Sequence, residues 1–343
     1  MPAYETLFDT LGLRAWCDAD KTDGPMSMAQ LLAQTQGADG VSEGAGFPFP
    51  SLDVLHEACH RIGQTRDVTE GLEQGFLSIR PELKAVLDPI TQPLSWLLDG
   101  TLWTFEMTPW WVMIPVLLAL TFWASRSKAV TVFVAAVLLF FGLIDHYDVA
   151  MQTLAIVFVC TGLSVLIGVP IGIGMSKSNP VRGMILPVLD LLQTLPTFVY
   201  LIPLIFLFSV TESKLYGIAI ILYAIVPVIR LTDLGIRLVD KDVVEAADAF
   251  GMNAWQKLTR VQLPLALPNI MAGVNQTIMM SLAMVVIASL VSAPGLGVLV
   301  LRGIRNLELG VGIVAGLGIV LLAVILDRVS KAALSRVDKQ RGV

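Results

Sequence analysis

The sequence predicts an all-α, polytopic helical membrane protein with about seven transmembrane helices. The first observation is composition: 55% of the 343 residues are hydrophobic and only 15% are charged, with a mean hydropathy of +0.74. Soluble domains carry about a quarter charged residues. The second is that seven segments approach the roughly 20 apolar residues needed to cross a hydrocarbon core of about 30 Å. The third is the sidedness of the basic loops.

The first 107 residues precede those segments and differ from them in charge. They hold 16 acidic and 6 basic side chains, net −10, whereas residues 108–343 hold 12 acidic and 17 basic, net +5. No secretory signal is visible at the start, because the first 30 residues contain no long apolar run. Residues 1–75 are polar and glycine-punctuated, with a break expected at Gly44–Pro50. Cys17 and Cys59 could pair if this region faces an oxidising compartment. From about 82 to 105, Leu83, Val86, Leu87, Ile90, Leu94, Leu97, Leu98, Leu102 and Phe105 recur near helical spacing beside Trp96 and Trp103. Interrupted by Pro89 and Pro93, this stretch reads as a broken interfacial amphipathic helix.

The seven spans are expected at about 108–124, 129–145, 149–174, 184–209, 215–232, 266–292 and 309–327. With seven, Arg126 and Lys128, Lys177 and Arg182, the Arg237–Arg260 stretch and the tail from Arg328 all fall on one side. By the positive-inside rule that side is cytoplasmic, with residues 1–107 and the N-terminus outside and the C-terminus inside. Arg302 and Arg305 are the exception. Gly168–Gly172 and Gly312–Gly316 have the small-xxx-small spacing of closely packed helices.

Polar residues inside the apolar segments mark either a path or a packing contact. The fourth span carries Gln193, Thr194, Pro196 and Pro203, and the sixth carries Asn275, Gln276, Thr277 and Ser281. Prolines free backbone carbonyls, which is tolerated only where protein or water satisfies them. Gln193, Thr194, Asn275, Gln276 and Ser281 are therefore candidates for a translocation path, with interhelical hydrogen bonding as the alternative. Tyr200 and Phe198 offer aromatic faces to a cation, or ordinary packing. Arg230 and Asp233 are spaced as an i,i+3 pair, and Asp190 lies near the same face of the membrane. The lack of mid-membrane carboxylates argues against a proton-coupled carrier.

Between the fifth and sixth spans, about 236–264, lies a charged segment that cannot cross a bilayer. Glu245, Ala246, Ala247 and Ala249 favour helix, Gly251 permits a left-handed turn, and Val261, Leu263 and Pro264 follow. The result is a short helix with a small-residue surface, suited to docking a partner protein. This pattern resembles the EAA loop of ABC-importer permeases, with every spacing kept and Val261 standing in place of Ile. Further runs, Gln193–Pro203, Val261–Ala266, Met271–Thr277, Leu301–Ile304 and Ile325–Arg328, resemble the permease subunit of glycine betaine/proline betaine importers over roughly residues 80–335.

The resemblance implies a type I ABC importer permease fold in the bacterial inner membrane, with the EAA loop as a coupling helix. It also implies a homodimer working with two ATP-binding subunits and a periplasmic substrate-binding protein. The solute class implied is a small quaternary ammonium or methylated amine: glycine betaine, proline betaine, choline or trimethylamine N-oxide. No G-x-x-x-x-G-K-[ST] occurs, so ATP and Mg are expected on the partner ATPase and no cofactor on this chain. Membrane lipids are the remaining expected partner, with no role for nucleic acid. An ATP-independent carrier or channel for the same solutes is the alternative. His56, Glu57 and His60 form an H-E-x-x-H match, which would make a membrane-anchored zinc enzyme the remote third reading.

Overall fold

The computed structural model describes residues 8–13, 17 and 65–341, and they are helical throughout apart from turns. Cys59 and the His56–His60 motif lie outside the described residues. The chain divides into two compact units, Met1–Glu82 and Leu83–Val343.

Helix α1 spans Thr65–Met107 and α2 spans Trp110–Ser125, with a bend of 116° between them. α3 is Lys128–Leu143, α4 Tyr147–Lys177, α5 Asn179–Thr194, α6 Leu201–Leu207 and α7 Ser213–Arg237. A short α8, Lys241–Ala249, precedes α9, Ala254–Val291. α10, Leu296–Arg305, and α11, Leu309–Arg341, complete the order.

The count of about seven spans, the first two expected to be short, is not exact. Among the described residues, four helices are long and apolar enough to cross a bilayer: α4, α7, α9 and residues 309–333 of α11. The bent α1–α2 pair adds a fifth if it is one span. The expected first and second spans are helices of only 16 residues, about 24 Å at 1.5 Å per residue. The expected fourth span, 184–209, is two helices separated at residues 195–200. Pro196 supplies the reason: it lacks an N–H and pushes Leu195 to extended backbone, ψ 132°.

A second correction concerns α1, which runs unbroken through Pro89 and Pro93. Leu98 is fully buried, and its δ-carbon lies against Gly217 of α7. Tertiary packing along residues 83–107 outweighs two lost backbone hydrogen bonds.

The bundle is centred on α7, which packs most extensively against α9 and α4. Small residues set the approach. A Cβ on Gly172 would stand 2.6 Å from Thr232 Cβ, and one on Gly235 would stand 2.7 Å from Asn269 Cβ. Both distances are shorter than side-chain carbons tolerate, so α4 and α9 reach α7 only because these positions lack a side chain. Gly168 is similarly closed against Val228, whereas nothing lies within 4 Å of a Cβ at Gly316.

Charge is tied up at both ends of α7. At one end Asp233, 3% exposed, accepts from Arg182 Nε at 2.9 Å and Arg237 Nε at 2.8 Å. Arg230 pairs instead with Asp190, so the expected Arg230–Asp233 pair does not form. At the other end Lys214, also 3% exposed, donates to Asp88 at 2.8 Å and to Gln92 at 3.3 Å, and pairs with Glu212 at 2.8 Å. These contacts bind α1 and α5 to the central helix.

Candidate docking loop and translocation path

Helix α8 begins where Asp240 accepts a hydrogen bond from the Asp242 N–H at 3.0 Å, the side-chain cap that frees a helix start from unsatisfied donors. It ends in a Schellman turn: the Met252 N–H donates to Ala247 O at 3.1 Å and the Gly251 N–H to Asp248 O at 2.9 Å. That turn places Gly251 at φ +71°, the left-handed region, with nothing within 4 Å of where a Cβ would stand. The glycine serves the backbone and leaves the surface open. A capping box then starts α9, with Asn253 accepting from the Gln256 N–H at 2.8 Å and Gln256 accepting from the Asn253 N–H at 3.0 Å. Lys257 closes the loop on Asp248 Oδ2 at 2.8 Å.

Within α8 the two alanines of the motif diverge. Ala247 is 4% exposed and faces the bundle, whereas Glu245 and Ala246 face out. Beside them Phe250 is 84% exposed and Trp255 is 71% exposed. A shallow cleft of about 270 Å³ lies next to Glu245, lined by Lys177, Arg237, Lys241 and Gln262 among others. Two bulky aromatics on a charged loop beside an open, small-residue turn form an exposed patch of the kind that marks an interaction surface.

Leu263 and Val244 pack together with Ile236, Val239 and Leu258. Leu263 thus helps to seat the loop on the bundle. Val261 and Pro264 are partly buried beside it. The turn Leu258–Gln262 is π-helical, with the Leu263 N–H donating to Leu258 O. Lys177 donates to Gln262, and Arg237 Nη2 donates to Met175 O at 2.7 Å, anchoring the loop to the end of α4. Sequence spacing gave no sign of these two anchors, since each joins residues more than sixty apart.

The in-membrane polar residues separate into two sets. Asn275 donates to Asp327 Oδ1 at 2.8 Å and accepts from Ser330 Oγ at 3.1 Å, linking α9 to α11. Ser281 is buried and accepts from Thr161 of α4 at 3.1 Å. Gln193, Thr194 and Gln276 are exposed at the surface of the chain. Along residues 263–291 of α9, Leu265, Pro268, Ala272, Gln276, Ala283 and Leu290 are the outward positions, forming one helical face. Tyr200 is 9% exposed with its hydroxyl buried and unpartnered, while Phe198 is 59% exposed.

Residues 164–339 match the family described as binding-protein-dependent transport system inner membrane component. The chain belongs to that family. Among its relatives, the glycine betaine/carnitine transport permease protein GbuB of Listeria monocytogenes is 41% identical over 255 residues, 73% of this chain and 90% of its own length. The glycine betaine/proline betaine transport system permease protein ProW of Escherichia coli is 41% identical over 295 residues, 86% and 80% respectively. The trimethylamine N-oxide transport system permease protein TmoV of Ruegeria pomeroyi is 42% identical over 190 residues, 55% of this chain and 29% of its own. This permease is a multi-pass, all-α subunit of an ABC importer.

Proposed function

We propose that this permease moves a small quaternary ammonium or methylated amine solute of the betaine type across the bacterial inner membrane, driven by ATP hydrolysed on separate subunits. The observation that carries the reading is the α8 loop. Its capped helix, its Schellman turn at Gly251 and its exposed Glu245, Ala246, Phe250 and Trp255 form a firm but uncovered docking surface. The relatives' printed substrates supply the solute class.

The assembly that fits is a pair of permease chains, two ATPases each receiving one α8, and a substrate-binding protein on the opposite side. Gln276 and Gln193 are polar groups on the lipid-facing surface of a single chain, where they would be costly. A second copy closing on that face would turn it into a polar path between the two chains. In this reading Asn275 and Ser281 hold the helices that frame the path, Thr194 lies beside Gln193 at its edge, and Tyr200 lends an unpaired hydroxyl from behind. The N-terminus is extracytoplasmic and the C-terminus cytoplasmic, on the side of the α8 loop.

The test is uptake of radiolabelled glycine betaine into vesicles containing permease, ATPase and binding protein. Uptake is expected only with all three and ATP, and ATP-independent uptake by the permease alone would establish the carrier alternative. Single cysteines introduced at Ser42 and Lys339 of a cysteine-free variant report orientation: an impermeant maleimide added outside is expected to label the first and spare the second.

A further inference from the structure

One cavity in the second unit, about 770 Å³, is not part of the loop or the polar face. It lies at the end of the bundle opposite α8, in the elbow between α1 and α2, and reaches the end of α3 and the start of α4. Ile114, Leu138, Leu139 and Leu143 form its apolar wall. Trp110 and Tyr147 also line it, with two carboxylates, Glu106 and Asp148, and the Tyr147 hydroxyl is buried without a partner.

Three features of this cavity ask for an occupant. First, Leu139 and Leu143 are 58% and 87% exposed, apolar surface of the kind that meets acyl chains, and Trp110, 64% exposed beside them, is the residue type that sits at headgroup depth. Second, neither carboxylate has a cationic partner among the described residues; Glu106 accepts only from Gln152 Nε2 at 2.8 Å. Third, Glu106 sits in the last turn of α1, where the helix dipole opposes a negative charge, and no basic residue occupies that turn. No lysine or arginine lines the cavity.

We infer that this elbow binds a bilayer phospholipid whose headgroup carries an ammonium group. One acyl chain lies along Ile114, Leu139 and Leu143, and the ammonium sits between Glu106 and Asp148 beside the Trp110 ring, which favours a cation over its face. The bound lipid fills the angle between α1 and α2 and neutralises the acid placed at the end of α1. A glycerol headgroup, with its anionic phosphate and no cation, is disfavoured by the same two carboxylates. The site is independent of the transported solute and of the ATPase.

The experiment uses the full-length permease reconstituted in an equal mixture of phosphatidylethanolamine and phosphatidylglycerol, then extracted gently and weighed by native mass spectrometry. Phosphatidylethanolamine is expected to stay bound about threefold over its share, the selectivity that one or two partly exposed charge pairs provide. The Glu106→Gln/Asp148→Asn double variant, isosteric at both positions, is expected to lose that preference. Leu139→Trp, which narrows the apolar wall, is expected to lower the amount of lipid retained. Equal retention of both lipids by the wild type, or an unchanged preference in the double variant, overturns the proposal. Displacement of the lipid by millimolar free choline, with choline itself then bound, also overturns it, by reassigning the cavity to a soluble ammonium compound. Asp148→Asn alone, monitored by thermal unfolding, keeps the test open should the double variant fail to fold, with partial loss of preference expected.

Discussion

Gly172 and Gly251 do opposite work in one chain. At Gly172 the backbone is ordinary helix and the space is closed, with Thr232 Cβ 2.6 Å from where a side chain would begin. At Gly251 the space is open and the backbone is left-handed, φ +71°. One glycine lets helices approach, and the other lets a helix stop without covering the surface beside it. Small residues in the bundle therefore set how closely the helices pack, whereas Gly251 in the α8 loop leaves open the surface proposed to receive a partner.

The sharpest break of that contrast is a bulky residue at each position. Gly172→Leu is expected to cost about 3 kcal/mol or more by overpacking against α7, and to leave little folded permease in the membrane by quantitative blotting. Gly251→Val costs about 1–2 kcal/mol for a branched residue in left-handed backbone. Its protein level is expected to stay near wild type while uptake falls below a tenth. A Gly251→Val chain that vanishes from the membrane would erase the distinction. Glu245→Lys, which changes only charge on an exposed site, is expected to preserve abundance and to weaken ATPase co-purification.

The smallest effect divides two adjacent residues. Asn275→Leu removes bonds to Asp327 and Ser330 and is expected to lower thermal stability by about 1 kcal/mol, leaving residual transport in proportion to folded protein. Gln276→Leu is expected to keep stability and to reduce transport per molecule. The reverse assignment would move the path away from the outward face of α9.

How much of this was readable beforehand follows from the range of the interactions. The α8 helix, its glycine stop and the positions of α4, α7, α9 and α11 rest on propensity and hydrophobic runs, and these are local properties of sequence. The continuity of α1 through Pro89 and Pro93 was not readable, because Leu98 packing on Gly217 decides it. Spacing suggested Arg230–Asp233, yet Asp233 takes Arg182 from α5 and Arg237 from its own helix, and Arg230 takes Asp190. Asn275 and Gln276 looked equivalent as consecutive amides. Only the position of α11 separates them, since it offers Asp327 to one and nothing to the other.

The π turn at Leu258–Gln262 has a consequence for how force passes between the loop and the membrane. A regular helix advances about 100° per residue, so the one extra residue held in that wide turn rotates everything on its loop side by that angle relative to the α9 shaft. Val244 and Leu258 meet in the loop's apolar seat, while Gln276 looks outward further along the same rod. The turn works as the offset in a crank: it sets the angular phase between the loop's seat and the outward face of α9, the two regions proposed as docking surface and path. Replacing that single turn by regular helix would change this phase by about 100°.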